Sequence, residues 1–140
     1  LMKHSIKLEY KNNYLMIGVV STAKPHKICS LVNKTLEVSL KRSAHIKEFS
    51  GMFEGAFPYP AFRFKDPLLK YKLILVANSN SLGYFLKDCK ELDYLIFIKS
   101  SDQEKRAKDY IKVLKDLDII QLAIIVDLKK IKSAKTLIIE

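Results

Sequence analysis

The sequence predicts a two-layer α+β domain, in which two helices cover one face of a mixed, mainly antiparallel sheet. Two observations lead to this prediction: short apolar or alternating runs typical of strands, and two segments whose apolar residues recur at helical spacing. Residues 14–40 and residues 94–120 each show the order strand, helix, strand. Two such halves favour a ferredoxin-like topology, and an open α/β sheet is the alternative.

The first half of the chain is predicted to contain three strands and a helix. Residues 6–10 alternate between apolar and polar side chains, as in a half-buried strand, and residues 14–20 form an apolar run typical of a buried one. Ser21 and Thr22 offer a cap for a helix that has Pro25 in its first turn and continues to Leu36. A short strand is expected at residues 38–40.

The second half begins after a segment of unusual composition. Residues 49–67 contain five of the seven phenylalanines and three of the four prolines, which predicts an irregular hairpin whose second arm is residues 71–77. Further strands are expected at residues 94–98, 119–126 and 136–139. A second helix is expected from Asp102 to about residue 116.

Length and composition favour one domain that spans residues 1–140. No uncharged run approaches the roughly 20 residues that a membrane span requires. Charged residues interrupt the apolar positions near the start, which argues against a signal peptide. The two cysteines, Cys29 and Cys89, favour a reduced chain. We therefore expect a cytoplasmic domain without membrane contact.

The net charge of +10 suggests nucleic acid as a partner, but its makeup weakens that suggestion. Arginine, which is best suited to bidentate phosphate contacts, supplies only three of the 25 cations. Compositional bias explains the excess of lysine without any partner, and we prefer that explanation. If a surface binds phosphate, we expect it within residues 11–47, where Glu37 is the one acidic residue. The candidate nucleic-acid-binding residues are Lys24, Lys27, Lys34, Lys41 and Arg42.

Motifs of catalysis and metal binding are missing from the sequence. The three histidines lie far apart and lack the spacing of zinc ligands. There is no glycine-rich phosphate loop and no Gly-x-Ser-x-Gly motif. Cys89 lies between Lys87 and Lys90, and because nearby cations lower a thiol pKa, it is the better candidate for a reactive thiol. We therefore expect that the protein is not an enzyme and that it binds no cofactor, metal ion or small-molecule ligand.

The aromatic residues of segment 49–67 predict a contact between two copies of the chain. Two helices cover only one face of the sheet, so we expect several of these rings to be exposed. Aromatic side chains are enriched at interface cores, and a two-fold dimer is the commonest way to bury such a patch. The candidate interface residues are Phe53, Phe57, Tyr59 and Phe62.

Residues 86–94 have the sequence Leu-Lys-Asp-Cys-Lys-Glu-Leu-Asp-Tyr. This stretch resembles the signature of the IPExxxVDY family, a group of small uncharacterised proteins from Bacteroidetes-type bacteria. Leu86 stands for the isoleucine, Asp88 for the glutamate and Leu92 for the valine, whereas Asp93 and Tyr94 match outright. The proline of the signature is replaced by lysine. The resemblance implies no activity, because none is assigned to the family.

We expect structural roles for two residues of this stretch. Asp93 should accept backbone hydrogen bonds at the turn, and Tyr94 should be partly buried at the start of the following strand. The sequence as a whole predicts a non-enzymatic cytoplasmic interaction module that associates with itself as a homodimer. The alternative is a nucleic-acid-binding domain that uses the lysine-rich surface on residues 11–47.

Overall fold

A computed structural model describes residues 14–49 and 55–132, which are organised around one six-stranded sheet. Its helices and strands are β1 (Leu15–Val20), α1 (Pro25–Leu36), β2 (Lys41–Arg42), β3 (Ala61–Asp66), β4 (Tyr71–Ala77), β5 (Ser79–Asn80), β6 (Gly83–Tyr84), β7 (Tyr94–Lys99), α2 (Gln103–Lys115) and β8 (Leu122–Val126). Neither of these helices is long and apolar enough to cross a bilayer.

The strand order of the sheet is β2-β3-β4-β7-β1-β8, and every neighbouring pair is antiparallel. Strands β1 and β4 are therefore parallel and flank β7, while β7 and β8 are parallel and flank β1. With α1 and α2 this is the strand order of a ferredoxin-like sheet, extended by β2 and β3 beyond β4. The predicted α+β class is confirmed. Strands β5 and β6 form a separate small hairpin.

Both faces of the sheet are covered, but by different kinds of structure. The helices pack on one face, against residues such as Ile17, Leu73 and Ile96. The other face is covered by irregular segments, which contribute Phe49 and Phe57 among others. A two-helix domain thus buries both faces of its sheet.

Helix α1 has the predicted bounds, but its predicted cap is wrong. Lys24 is the N-cap residue and makes no side-chain cap hydrogen bond. Ser21 is buried, and its hydroxyl instead donates to the carbonyl of Ile119 at 2.6 Å, which ties the end of β1 to the segment before β8. Asp102 is the N-cap residue of α2, as predicted, although it too makes no side-chain cap hydrogen bond.

The short strand predicted to start at residues 38–40 begins at Lys41 instead, because the side chain of Asn33 takes the backbone hydrogen bonds of Leu40. The amide of Asn33 donates to the carbonyl of Leu40 at 3.1 Å and accepts from its N–H at 2.7 Å. Pairing with β3 therefore begins only at Lys41. The strands predicted at residues 6–10 and 136–139 lie outside the described residues.

Candidate functional site

Strand β8 is the last strand on one side of the sheet. Within residues 14–49 and 55–132 it pairs with β1 alone, from Met16 opposite Val126 to Val20 opposite Leu122, so its other side is an open edge in the described part of the chain. Three of its five side chains are large, apolar and about 40% exposed: Leu122 (41%), Ile124 (39%) and Ile125 (42%). The whole segment 119–126 contains no charged residue. Sequence reasoning predicted a strand here but not its exposure.

The neighbour of Ile124 on β1 is a glycine. Ile124 lies opposite Gly18, which offers no side chain to cover it. A Cβ atom on Gly18 would lie 2.5 Å from Cδ1 of Leu92, so the buried Leu92 side chain fills the space on that side. Packing of Leu92 thus requires a glycine in β1 and leaves Ile124 without a cross-strand partner side chain.

The opposite edge of the sheet has a different character. Strand β2 has two residues, Lys41 and Arg42, and both are exposed. Short, charged edge strands commonly prevent strands of two molecules from pairing. They offer few unpaired N–H and C=O groups, and their charges repel the same charges on a second copy. Strand β8 lacks this protection, which makes it the strongest candidate for a binding surface on the sheet.

The aromatic interface predicted from the sequence is not exposed. The side chains of Phe57 and Phe62 are 8% and 5% accessible. The Phe57 ring stacks on Phe49 at 5.2 Å between centroids and meets the Phe85 ring edge-on at 5.4 Å, and Tyr59 is half-buried beside it at 5.7 Å. The expectation was wrong because irregular segments fold back over the face that the helices leave open.

Two of the four predicted interface residues need separate mention. Phe62 lies on the helix-covered face, with the Arg42 guanidinium 5.7 Å from the centre of its ring. Phe53 lies outside the described residues. Phe57 and Phe62 therefore contribute to the core of one chain, with Tyr59 packed against it, and the edge at β8 becomes the candidate interface.

The five predicted nucleic-acid-binding residues are all exposed. Lys27 and Lys34 are two turns apart on the outer face of α1, Lys24 precedes the helix, and Lys41 and Arg42 form β2. The structure thus places these residues along α1, just before it, and on the edge strand β2.

The stretch that resembles the family signature has a clear structural role around Asn78. Sequence reasoning missed this residue, which is fully buried. Its amide donates to the carbonyls of Cys89 at 2.8 Å and Leu92 at 3.1 Å, and its oxygen accepts from the N–H of Leu86 at 2.8 Å. One side chain thereby satisfies three backbone groups of a buried loop.

Asp93 and Tyr94 have the structural contacts that we expected. The Asp93 carboxylate accepts from the backbone N–H of Ser21 at 2.8 Å, and the Tyr94 hydroxyl donates to the carbonyl of Ala23. Burial, with a smaller effect of the Asp93 charge, raises the pKa of Tyr94 to about 12. Leu86 and Leu92 are buried, whereas Asp88 is exposed.

Cys89, the better candidate of the two cysteines for a reactive thiol, lies in the core. This side chain is 4% accessible, and burial raises its pKa, with further contributions from Glu91 and Asp88. Burial therefore opposes the effect that the flanking lysines were expected to have on the thiol pKa. Within residues 14–49 and 55–132, no three His, Cys, Asp or Glu side chains come together as metal ligands.

Comparison of the chain with models of protein families, with curated proteins and with solved structures gave no significant match. The resemblance of residues 86–94 to the IPExxxVDY signature therefore stays a prediction.

Proposed function

We propose that this chain is a non-enzymatic interaction module that associates with a second copy of itself through β8. A single observation supports this proposal most strongly: among the described residues, β8 is an uncharged edge strand with three large apolar side chains about 40% exposed. An edge strand of this kind is a template for pairing with another strand through main-chain hydrogen bonds.

A second copy suits this edge better than a charged partner. In an antiparallel two-fold pair centred on Ile124, the two Ile124 side chains lie near the axis, and Leu122 of one copy lies near Val126 of the other. Each of these contacts joins two apolar side chains, and the paired residues 122–126 bring no like charges together. The sheet would continue from one copy into the other, and the β8 edge of each copy would be covered by the β8 edge of its partner.

The two cysteines support placing this module in the cytoplasm. Cys29 and Cys89 are both free and buried. Free thiols are the usual state in a reducing compartment.

Sedimentation velocity of the full chain tests the proposal. The unmodified protein is expected to sediment as a dimer of 16.1 kDa chains at micromolar concentration. Ile124→Lys and Ile125→Lys, one on each face of β8, should each give a monomer, because lysine on an edge strand opposes pairing. Leu68→Lys is the matched control, since Leu68 is 93% exposed on the turn between β3 and β4 and should leave the dimer intact.

An unmodified chain that sediments as a monomer would reject self-association. Dimers that survive both β8 substitutions would reject β8 as the interface. Circular dichroism of each variant shows whether it is folded, so a monomer is counted only where the fold is retained.

A second candidate function is nucleic-acid binding through Lys24, Lys27, Lys34, Lys41 and Arg42. Exposure of all five side chains supports it, as does the start of α1, where the first turn contains no acidic residue and no side chain caps the helix. The helix dipole at such an end favours a phosphate group.

A further inference from the structure

A second cluster of basic residues lies away from α1, where the sequence did not predict it. Four lysines and a proline line one cavity of about 300 Å³: Lys65, Pro67, Lys70, Lys72 and Lys99. This volume is at the lower end of the range for small-molecule sites. The cavity lies at the end of the sheet beside the turn between β3 and β4.

Strand register brings three of these lysines into one row. Lys65 of β3 lies directly opposite Lys72 of β4, and Lys72 lies directly opposite Lys99 of β7. All three are on the face away from the helices, since they alternate with residues of the helix-side core. Like charges that face each other across strands are destabilising, so this row costs free energy unless an anion lies between the side chains.

Neighbouring carboxylates neutralise little of this charge. The buried Glu48 carboxylate lies 3.4 Å from Nζ of Lys72, but both of its oxygens also accept from Arg63, at 2.6–2.8 Å. The other ion pair among the described residues joins Arg106 to Asp102. Lys65, Lys70 and Lys99 therefore take part in none of these ion pairs.

Two of the lysines are held more firmly than surface lysines usually are. Lys72 and Lys99 are half-buried, and the Lys99 ammonium lies 5.4 Å from the centre of the Tyr14 ring. Lysine stems that lie along apolar surface keep their charged ends at a defined place. The positive charge of the cavity is thus partly preorganised.

A second cavity, of about 530 Å³, shares Lys70 and Lys99 with the first. It continues towards the start of α2, and its remaining lining is polar: Ser100, Ser101, Asp102, Gln103, Glu104 and Lys105. The carboxylates of Asp102 and Glu104 would repel a phosphate group at the start of α2. Hydroxyl, amide and carboxylate groups instead suit a ligand rich in hydroxyl groups.

We infer that the two cavities form one site for a phosphate monoester of a small polyhydroxylated compound, such as a sugar phosphate. The phosphate lies among Lys65, Lys70, Lys72 and Lys99, where it offsets the repulsion within the row. The hydroxyl-bearing part lies in the adjoining cavity, beside Ser100 and Gln103. Both the cavity volumes and the separation of cationic from polar lining fit a small molecule.

Isothermal titration of the full chain with ribose 5-phosphate at low salt tests this inference, with inorganic phosphate and ribose as separate arms. The test variant is Lys70→Asn with Lys99→Gln. Lys70 has a φ of +51°, which asparagine tolerates, so the charge is removed without backbone strain. Lys27→Gln with Lys34→Gln removes the same charge from α1 and is the matched control.

We expect ribose 5-phosphate to bind more tightly than inorganic phosphate, and ribose not to bind. The double variant in the cavity should weaken binding of ribose 5-phosphate by about a hundredfold or more, because two charge-assisted hydrogen bonds to the phosphate are lost. The α1 control should bind as the unmodified chain does. No binding of ribose 5-phosphate, equal loss in both double variants, or equal affinity for ribose and its phosphate would overturn the inference.

Discussion

The carboxylate of Asp93 accepts a hydrogen bond from the backbone N–H of Ser21 at 2.8 Å. The same residue pairs its own N–H with the carbonyl of Val19, at 2.8 Å, and its carbonyl with the N–H of Asn78, at 2.9 Å. Asp93 thus joins the end of β1, the end of β4 and the start of β7. The end of the stretch at residues 86–94 therefore has a structural role at this junction.

Asp93→Ala should lower the free energy of unfolding by about 1–2 kcal/mol, because the N–H of Ser21 loses its acceptor in a partly buried position. Urea unfolding followed by circular dichroism measures the change. Glu91→Ala is the matched control, since Glu91 is an exposed carboxylate of the same stretch. If the Asp93 variant and the unmodified chain have the same free energy of unfolding, the proposed structural role of Asp93 is contradicted.

Glu48 should make the free energy of unfolding depend on pH in the acidic range. Burial alone would raise the pKa of Glu48, but hydrogen bonds from Arg63 and the charges of Arg63 and Lys72 outweigh it and lower the pKa below its ordinary value of 4.5. A carboxyl group with a lowered pKa in the folded state stabilises the fold above its unfolded pKa. That contribution is lost as the pH falls through the folded pKa.

Glu48→Gln should therefore destabilise the protein by about 3 kcal/mol at neutral pH, as expected when one partner of a buried ion pair is removed. The difference from the unmodified chain should shrink as the pH falls below about 4.5. Urea unfolding over a pH series provides the measurement, with Glu91→Gln as the control. A difference that stays constant down to pH 3 would contradict the role of the ionised carboxylate.

The nucleic-acid function predicts a steep dependence of affinity on salt, because bound lysines release counterions from the phosphate backbone. Lys27→Glu with Lys34→Glu should abolish binding of a fluorescent oligonucleotide in an anisotropy titration. Lys108→Glu with Lys112→Glu, two exposed positions on α2, provides the same charge reversal elsewhere. If the unmodified chain does not bind the oligonucleotide at low salt, the nucleic-acid function is ruled out. An affinity that does not change with salt concentration would also rule it out.

Local pattern was sufficient to predict much of the fold. The bounds of α1 follow from Pro25 and the apolar spacing up to Leu36, and the hairpin of β3 and β4 follows from the turn that joins them. Non-local pairing could not be predicted in the same way. The row of Lys65, Lys72 and Lys99 depends on β7 lying beside β4, which no short stretch of sequence specifies.

The surfaces were harder to predict than the elements, for two physical reasons. Apolar strands have the same pattern at the centre and at the edge of a sheet, so β8 resembled the buried β1. Irregular segments have no periodicity that indicates what they cover. The burial of Phe57 against Phe49 and Phe85 therefore appears only in the structure.

Amide hydrogen exchange at several protein concentrations tests pairing through β8 most directly. Backbone N–H groups on the side of β8 away from β1 have no strand partner within residues 14–49 and 55–132, and they should become protected as the concentration rises through the dimerisation range. The amides of Lys41 and Arg42, at the other edge of the same sheet, are the internal reference and should exchange at a constant rate. Exchange at β8 that is equally fast at every concentration would contradict the proposed dimer.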